Sequence, residues 1–251
     1  MITSISNARL RAVRSLLDRS RARREEKAFV VEGIRMFREI PKDRLVETYL
    51  SESFHQKNPD IQGEIVKDEV FKKLSDTTNP QGVLAVVRQK QYSVSDLANS
   101  GHGLFLILEG IQDPGNLGTM VRTGEAAGLS GIIMDRKTVD IYSPKVVRST
   151  MGAIFRVPFV YTENLSETIH EMKNAGVRFY AAHLDGKKSY SEIDYSPKTA
   201  FMIGNEGNGL SAEITELADE KLIIPMKGQV ESLNAAVSAS ILMYKYAEIH
   251  F

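Results

Sequence analysis

The stretch LFLILEGIQDPGNLGTMVRTGEAAG, residues 104–128, decides how the second half of the chain folds. It opens on the unbroken apolar run Leu104–Leu108, which reads as a strand covered on both faces rather than on one. Turn formers follow, ending in Pro114-Gly115, and such clusters stop a strand. Asn116 is a good helix N-cap. Beyond it Leu117, Met120, Val121, Gly124 and Gly128 recur at helical spacing and form a face that can pack on a sheet. Gly118, Thr119, Arg122 and Glu125 fall on the other side. The segment therefore reads as strand, loop and helix.

The same punctuation recurs outward from it. The apolar runs LFLILEG, GIIMD, PFVYT, RFYAAH, TAFMIG and KLIIPM alternate with helical patterns over residues 116–127, 143–151, 165–175, 211–217 and 232–250. That alternation specifies an α/β fold with a mostly parallel sheet covered on both faces. Sheets of this kind bind ligands in the loops at the carboxyl ends of their strands. Two further loops qualify. GNEGNG, residues 204–209, places three glycines where backbone amides can approach a ligand closely; its alternative reading is a plain connection to a helix capped by Ser211. Its order is not the G-x-G-x-x-G of a dinucleotide site, and Glu206 inside it suits hydrogen bonds to a ribose or adenine better than an anionic phosphate. IIPMKGQVESLN, residues 223–234, leads to the last helix, with Ser232 as its expected N-cap and Asn234 in its first turn. Arg122 suits a phosphate or a sugar oxygen, or it forms a surface pair with Glu125.

The first 90 residues have a different pattern. Leu10, Val13, Leu16 and Leu17 mark an amphipathic helix from residue 4 to about 20. Strands are expected over residues 29–33, 45–51, 64–68 and 82–89, with helices over 34–40 and 68–75, the latter capped by Asp68. This is a small α/β domain. Residues 90–103, KQYSVSDLANSGHG, are polar and place a boundary between domains at 1–95 and 104–251.

Charge is distributed unevenly along a chain whose net charge is zero. Residues 1–95 hold 18 Lys and Arg against 13 Asp and Glu. That excess can be found within the first 27 residues, where Arg9, Arg11, Arg14, Arg19, Arg21, Arg23, Arg24 and Lys27 face only Asp18, Glu25 and Glu26. A local basic arm points to a polyanion such as RNA, or it is a solvated helix face. No stretch has the length of a membrane span and the N-terminus lacks a signal peptide's apolar core. Cysteine is absent and the five histidines show no ligand spacing, which excludes disulfides, argues against a metal site and fits a cytoplasmic protein.

Taken together, the three loops resemble the three motifs of the SpoU (TrmH-type) RNA ribose methyltransferases, in order. N-x-G-x-x-x-R falls on Asn116, Gly118 and Arg122, G-x-E-x-x-G on Gly204, Glu206 and Gly209, and I-P-M…S-L-N on Ile224, Pro225, Met226, Ser232, Leu233 and Asn234. The likeness covers roughly residues 104–251. More loosely, the basic first helix, FVVEG and NPQGVLAVV resemble that family's ribosomal-protein-like substrate-binding domain.

The resemblance implies a SPOUT-type domain with a deep trefoil knot, and a homodimer. It implies S-adenosylmethionine as cofactor, held by backbone groups of Gly204, Ile224, Met226 and Leu233. The reaction implied is methyl transfer to a ribose 2′-hydroxyl, without a metal. Arg122 would have the central role, Asn116 and Asn234 would position the sugar and Arg122, and Glu206 and Ser232 would order the loops. Arg9, Arg11, Arg21, Arg23, Arg24 and Lys27 would contact RNA. A two-domain chain resembles the ribosomal-RNA branch, so large-subunit ribosomal RNA is the expected substrate. Transfer RNA, a fold-sharing RNA-binding protein without catalysis, and a Rossmann-type nucleotide enzyme are the alternatives.

Overall fold

The computed structural model describes residues 1–98 and 103–251. Residues 99–102 of the expected linker, His102 among them, lie outside the described residues. Two compact units are present: Met1–Lys90 with Asp140–Phe155, and Gln91–Val139 with Arg156–Phe251.

In the first unit α1 (Ala8–Asp18) and α2 (Ser20–Glu26) lead into β1 (Ala28–Glu32), α3 (Ile34–Arg38), β2 (Leu45–Ser51), α4 (Glu52–Lys57), β3 (Glu64–Val66), α5 (Asp68–Leu74) and β4 (Val83–Arg88). The sheet order is β1-β4-β2-β3, antiparallel except for the β2–β3 pair. Leu10, Val13, Leu16 and Leu17, the predicted apolar face of α1, are buried in one cluster with Tyr49, Phe71 and Leu84. The expected single N-terminal helix is two: it starts later, at the Asn7 cap, and breaks where Arg19 turns extended. The α5 cap is Lys67 without a side-chain bond. Asp68 instead accepts hydrogen bonds from the backbone and hydroxyl of Ser53, which take its carboxylate away from the helix end.

Arg23 corrects the charge reading. It is 5% exposed, and its guanidinium donates to Asp140 at 2.8 Å and to the carbonyls of Leu16 and Leu17. A buried guanidinium needs such partners, and one so engaged is not an RNA contact. Asp140 belongs to the segment 140–155 with α8 (Pro144–Ser149). The sequence pattern grouped that helix with the second domain, but it packs on β1. Tyr142 and Phe155 pack against Phe29 with tilted rings, centroids 4.6 and 6.2 Å away, which is the apolar reason for its place.

The second unit contains α6 (Val94–Ala98), β5 (Gly103–Leu108), α7 (Pro114–Ala126), β6 (Gly131–Asp135), β7 (Phe159–Thr162), α9 (Leu165–Asn174), β8 (Arg178–Ala182), β9 (Lys188–Ser189), β10 (Lys198–Ile203), α10 (Ala212–Glu216), β11 (Glu220–Ile223) and α11 (Ala235–His250). Its seven strands run β7-β6-β5-β10-β8-β11-β9, every pair parallel. The short β9 carries no sequence signal of its own. Phe105, Ile107, Ile133, Phe179, Ala200 and Met202 are buried beneath Ile169 and Met172 of α9 and Ile214 of α10. On α11, Ala236, Ala239, Leu242, Met243 and Tyr246 are buried, and the helix packs on α7.

The strand order reverses between β5 and β10. From β5 the chain steps outward to β6 and β7; β10 later enters between β5 and β8. Such a switch point opens a crevice at the carboxyl ends of its strands. The register pairs Leu108 with Ile203, so the loops after β5 and β10 leave the sheet side by side. The loops after β6, β8 and β11 open on the same edge.

Candidate active site

The first loop is shaped by its helix start. α7 begins at Pro114, capped by Asp113, whose Oδ1 accepts from the Asn116 amide at 2.8 Å. Asn116 is thus inside the first turn rather than the N-cap. Proline in the first helical position accounts for the shift, because its fixed φ suits a helix start and its missing N–H is not needed there. The Asn116 side chain is left free for other work: its Nδ2 donates to Glu206 Oε1 at 2.9 Å. Leu117, Met120, Val121 and Gly124 are buried as expected. Gly118, assigned to the outer side, is buried too, since a stripe that packs between a sheet and a second helix is wider than one face. Arg122 is exposed and has no hydrogen bond or ion pair among the described residues. Its alternative partner Glu125 binds Arg156 at 2.7 Å instead.

The glycine loop is closed by its own backbone. Asn205 N donates to Gly209 O and Gly209 N to Asn205 O, at 3.0 and 2.9 Å. Asn205 Oδ1 accepts from the amides of Gly207 and Asn208, and Nδ2 donates to Gly110 O at 2.8 Å. Asn205, directly after Gly204, is the sequence signal for this turn, because an asparagine side chain bonds backbone amides two and three residues on. Glu206 turns back towards the first loop, where its carboxylate accepts from the amides of Gln112 and Asp113, both at 3.2 Å, as well as from Asn116. That set occupies it with protein donors rather than with a sugar. Burial alone would raise its pKa; the Asn116 amide and the backbone N–H groups outweigh burial and hold it below the ordinary carboxylate value.

Because the folded pKa is lowered, the stability Glu206 contributes is complete above the unfolded value of about 4.3 and is lost as the pH falls through the folded value. Urea unfolding should therefore show wild type more stable than Glu206→Gln at neutral pH, with the difference shrinking below about pH 4. A difference independent of pH would contradict this linkage.

In the third loop α11 begins at Ala235, and its cap is Asn234, not Ser232. Asn234 Oδ1 accepts from the amides of Ala236 and Val237, while Nδ2 donates to Asn116 Oδ1 at 2.9 Å. Asparagine caps as well as serine does, and its second polar atom allows this further bond. Ser232 stays exposed, with no hydrogen bond among the described residues. A directed chain results: Asn234 donates to Asn116, and Asn116 donates to Glu206.

Beside it lies a cavity of about 670 Å³. Gly204, Ile224, Met226 and Leu233 all line it, as do Glu206, Ser232 and Asn234; Asn116 and Arg122 do not. Residues 183–185 after β8 also line the cavity and carry no motif that would have identified them. No group of three or more His, Asp or Glu side chains among the described residues is placed to hold a metal, and no helix among them is long and apolar enough to cross a membrane.

This loop arrangement coincides with a family match. Residues 103–244 fit the model of the SpoU rRNA methylase family. The chain belongs to that family. Residues 7–85 fit an MRM3-like substrate-binding domain. Among SpoU relatives, the 23S rRNA (guanosine(2553)-2′-O)-methyltransferase RlmP of Bacillus subtilis is 37% identical over 73% of this chain and 72% of its own length. An uncharacterized tRNA/rRNA methyltransferase of Synechocystis is 31% identical over 97% of this chain and 92% of its own length. The crystal structure of an AdoMet-bound rRNA methyltransferase from Sinorhizobium meliloti superposes with a TM-score of 0.86 at 30% identity, covering 100% of this chain and 97% of that one.

Proposed function

We propose that the protein transfers a methyl group from S-adenosylmethionine to a ribose 2′-hydroxyl of large-subunit ribosomal RNA. The observation that carries this reading is the Asn234–Asn116–Glu206 chain, which ties the three SpoU motifs together at the edge of one cavity. The lining fits the cofactor. Its volume lies within the range of small-molecule sites, with apolar Ile203, Ile224, Met226 and Leu233 to cover an adenine and the backbone of the glycine loop to bond polar groups. Gly204, Ile224, Met226 and Leu233 are assigned to holding it.

When bound, S-adenosylmethionine supplies an electrophilic methyl group on a sulfonium. The remaining work is done by side chains. Asn116 and Asn234, fixed by each other, position the sugar and Arg122. Glu206 orders the loops through its bonds to Gln112, Asp113 and Asn116; Ser232 lines the cavity, and no hydrogen bond among the described residues stands behind the loop-ordering role expected of it. Arg122 holds the RNA phosphate and stabilises the charge that develops on the attacking oxygen. A guanidinium is a poor proton acceptor, so the hydroxyl proton passes to the phosphate or to solvent.

The substrate-binding match over residues 7–85 supports assigning residues 1–95 to RNA and 104–251 to methyl transfer, and it favours ribosomal over transfer RNA. The protein then works in the cytoplasm, where the ribosome is. A trefoil knot belongs to the same reading, through the family to which the chain belongs.

Mapping of 2′-O-methyl sites over total RNA, with and without the gene, tests the function. Loss of one ribosomal site is expected. Loss confined to transfer RNA would reassign the substrate, and a methylated product still cleaved by alkali would mean base methylation.

The six cations assigned to RNA differ in their surroundings. Arg9 is paired with Glu64, Arg21 with Glu25, and Arg23 is buried. Arg11, Arg24 and Lys27 are exposed and have no ion pair among the described residues. Replacing these three by Gln should weaken RNA binding and reduce its salt slope by up to about one unit for each phosphate left without its cation, with cofactor affinity unchanged. An unaltered slope would remove them from the interface.

The protein is also assigned as a homodimer. Val237, Tyr244 and Ile249 of α11 are exposed, an apolar surface that a second copy can cover. Light scattering should give twice the 28.0 kDa chain mass; a monomer that methylates RNA would refute it.

A further inference from the structure

We propose that Asp135 and Thr138 are positioning residues for methyl transfer, acting through the loop Gly110–Asp113. The proposal rests on the function assigned above but names residues outside the three motifs.

Four consecutive backbone N–H groups in that loop are each taken by a side chain from elsewhere in the unit. Gly110 N donates to Asp135 Oδ1 at 2.9 Å and Ile111 N to Thr138 Oγ1 at 3.2 Å. Gln112 N and Asp113 N donate to the two oxygens of Glu206. The next residue, Pro114, has no N–H and starts α7. The four N–H groups of the loop are therefore held by two clamps, while the Gly110 carbonyl is held separately by Asn205 Nδ2. One is Glu206, already placed in the site. The other is the pair Asp135–Thr138.

The chemistry of that pair is directional. The Thr138 hydroxyl has one proton, and it is given to Asp135 Oδ1 at 2.7 Å. The lone pairs of the hydroxyl are thereby left facing Ile111 N–H. Asp135 also accepts from the Thr138 amide at 2.9 Å, so the two residues hold each other before they hold the loop. Gly110 and Ile111 are buried, and buried amides that lose their acceptors are costly. The Val139 amide adds a bond to Ile111 O at 2.8 Å. Movement of Gly110–Ile111 must be transmitted to Gln112 and Asp113, and through them to Glu206 and Asn116. Displacements of about an ångström at a reacting geometry cost up to about a hundredfold in rate.

Neither Asp135 nor Thr138 lines the cavity, so their loss should act on turnover and not on cofactor binding. Thr138→Val keeps the shape and removes the hydroxyl. Its kcat should fall about ten- to a hundredfold, with the S-adenosylmethionine Kd within about twofold of wild type. Thr138→Ser restores the hydroxyl and should recover most of the rate. Hydrogen exchange on the full-length protein reads the clamp without catalysis. The amides of Gln112 and Asp113 should exchange faster in Thr138→Val and as in wild type in Thr138→Ser. If Thr138→Val does not accumulate folded, Thr138→Ala takes its place with the same expectations. Wild-type kcat and wild-type protection in the hydroxyl-less variant would overturn the proposal, as would an equal loss in Thr138→Ser. A wild-type protein that methylates no RNA would sink the assigned function, while the exchange pattern would still decide the clamp.

Discussion

Arg122→Ala should fold, bind S-adenosylmethionine and methylate RNA at a rate lower by about 10²–10³ or more, the usual scale for removing a preorganised charge stabiliser. Two features separate folding from function here. The guanidinium is exposed and makes no bond among the described residues, so its removal leaves nothing unsatisfied, and a surface substitution of that kind changes stability by about 0.5 kcal/mol or less. Yet it sits on α7, the helix whose first turn holds Asn116 against Glu206 and Asn234. A cation left unpaired on a helix so firmly anchored is available to a phosphate. The assay is alkaline hydrolysis of the product RNA, because a 2′-O-methyl group removes the hydroxyl that attacks the neighbouring phosphodiester. Wild type should leave a gap in the ladder and Arg122→Ala none. A full gap in the variant would take Arg122 out of the mechanism.

Gly204→Ala should do the opposite, damaging the site without touching a polar side chain. A Cβ on residue 204 would lie 2.1 Å from Gly209 C and from Leu210 N. Both are backbone atoms, held there by the paired hydrogen bonds between Asn205 and Gly209, so no side chain can swing away. The loop must open. That costs about 3 kcal/mol or more, in the range reserved for disrupted special positions, and it moves the wall of the cavity that Gly204 to Leu210 forms. Cofactor binding by calorimetry should weaken at least about tenfold, equivalent to about 1.4 kcal/mol, and the urea midpoint should drop. An unchanged midpoint with unchanged affinity would show that the loop tolerates the methyl group.

Much of this was legible in the sequence, for reasons that can be stated residue by residue. The apolar run Leu104–Leu108 specifies a covered strand wherever it sits, and the stripe from Leu117 to Gly124 specifies a buried helix face, because both depend on local periodicity. The loops at the carboxyl ends followed from the parallel sheet. The caps were misplaced by a few residues. Asp113 with Pro114 behind it was a stronger start signal than Asn116, and Asn234 competes with Ser232 on equal terms. What could not be read was pairing at a distance. Arg23 counts as a free cation in any sum of charges until Asp140, 117 residues away, is found beside it. Thr138 and Asp135 look like an ordinary turn after β6 until the amides of Gly110 and Ile111 are seen to depend on them.

The first unit is discontinuous, and this sets the order in which the protein can be completed during synthesis. Residues 1–90 leave the ribosome first, but on their own they present Phe29 without Tyr142 and Phe155, and Arg23 without Asp140. A guanidinium without its carboxylate beside an uncovered aromatic ring is a poor stopping point. The nascent first unit must wait, incomplete, until the chain has been extended through Phe155, by which time β5, α7 and β6 have also been made. Cutting the gene at residue 95 would consequently not yield two sound halves: the amino-terminal piece would lack its last helix, and the carboxyl-terminal piece would carry that helix with its apolar side exposed to water.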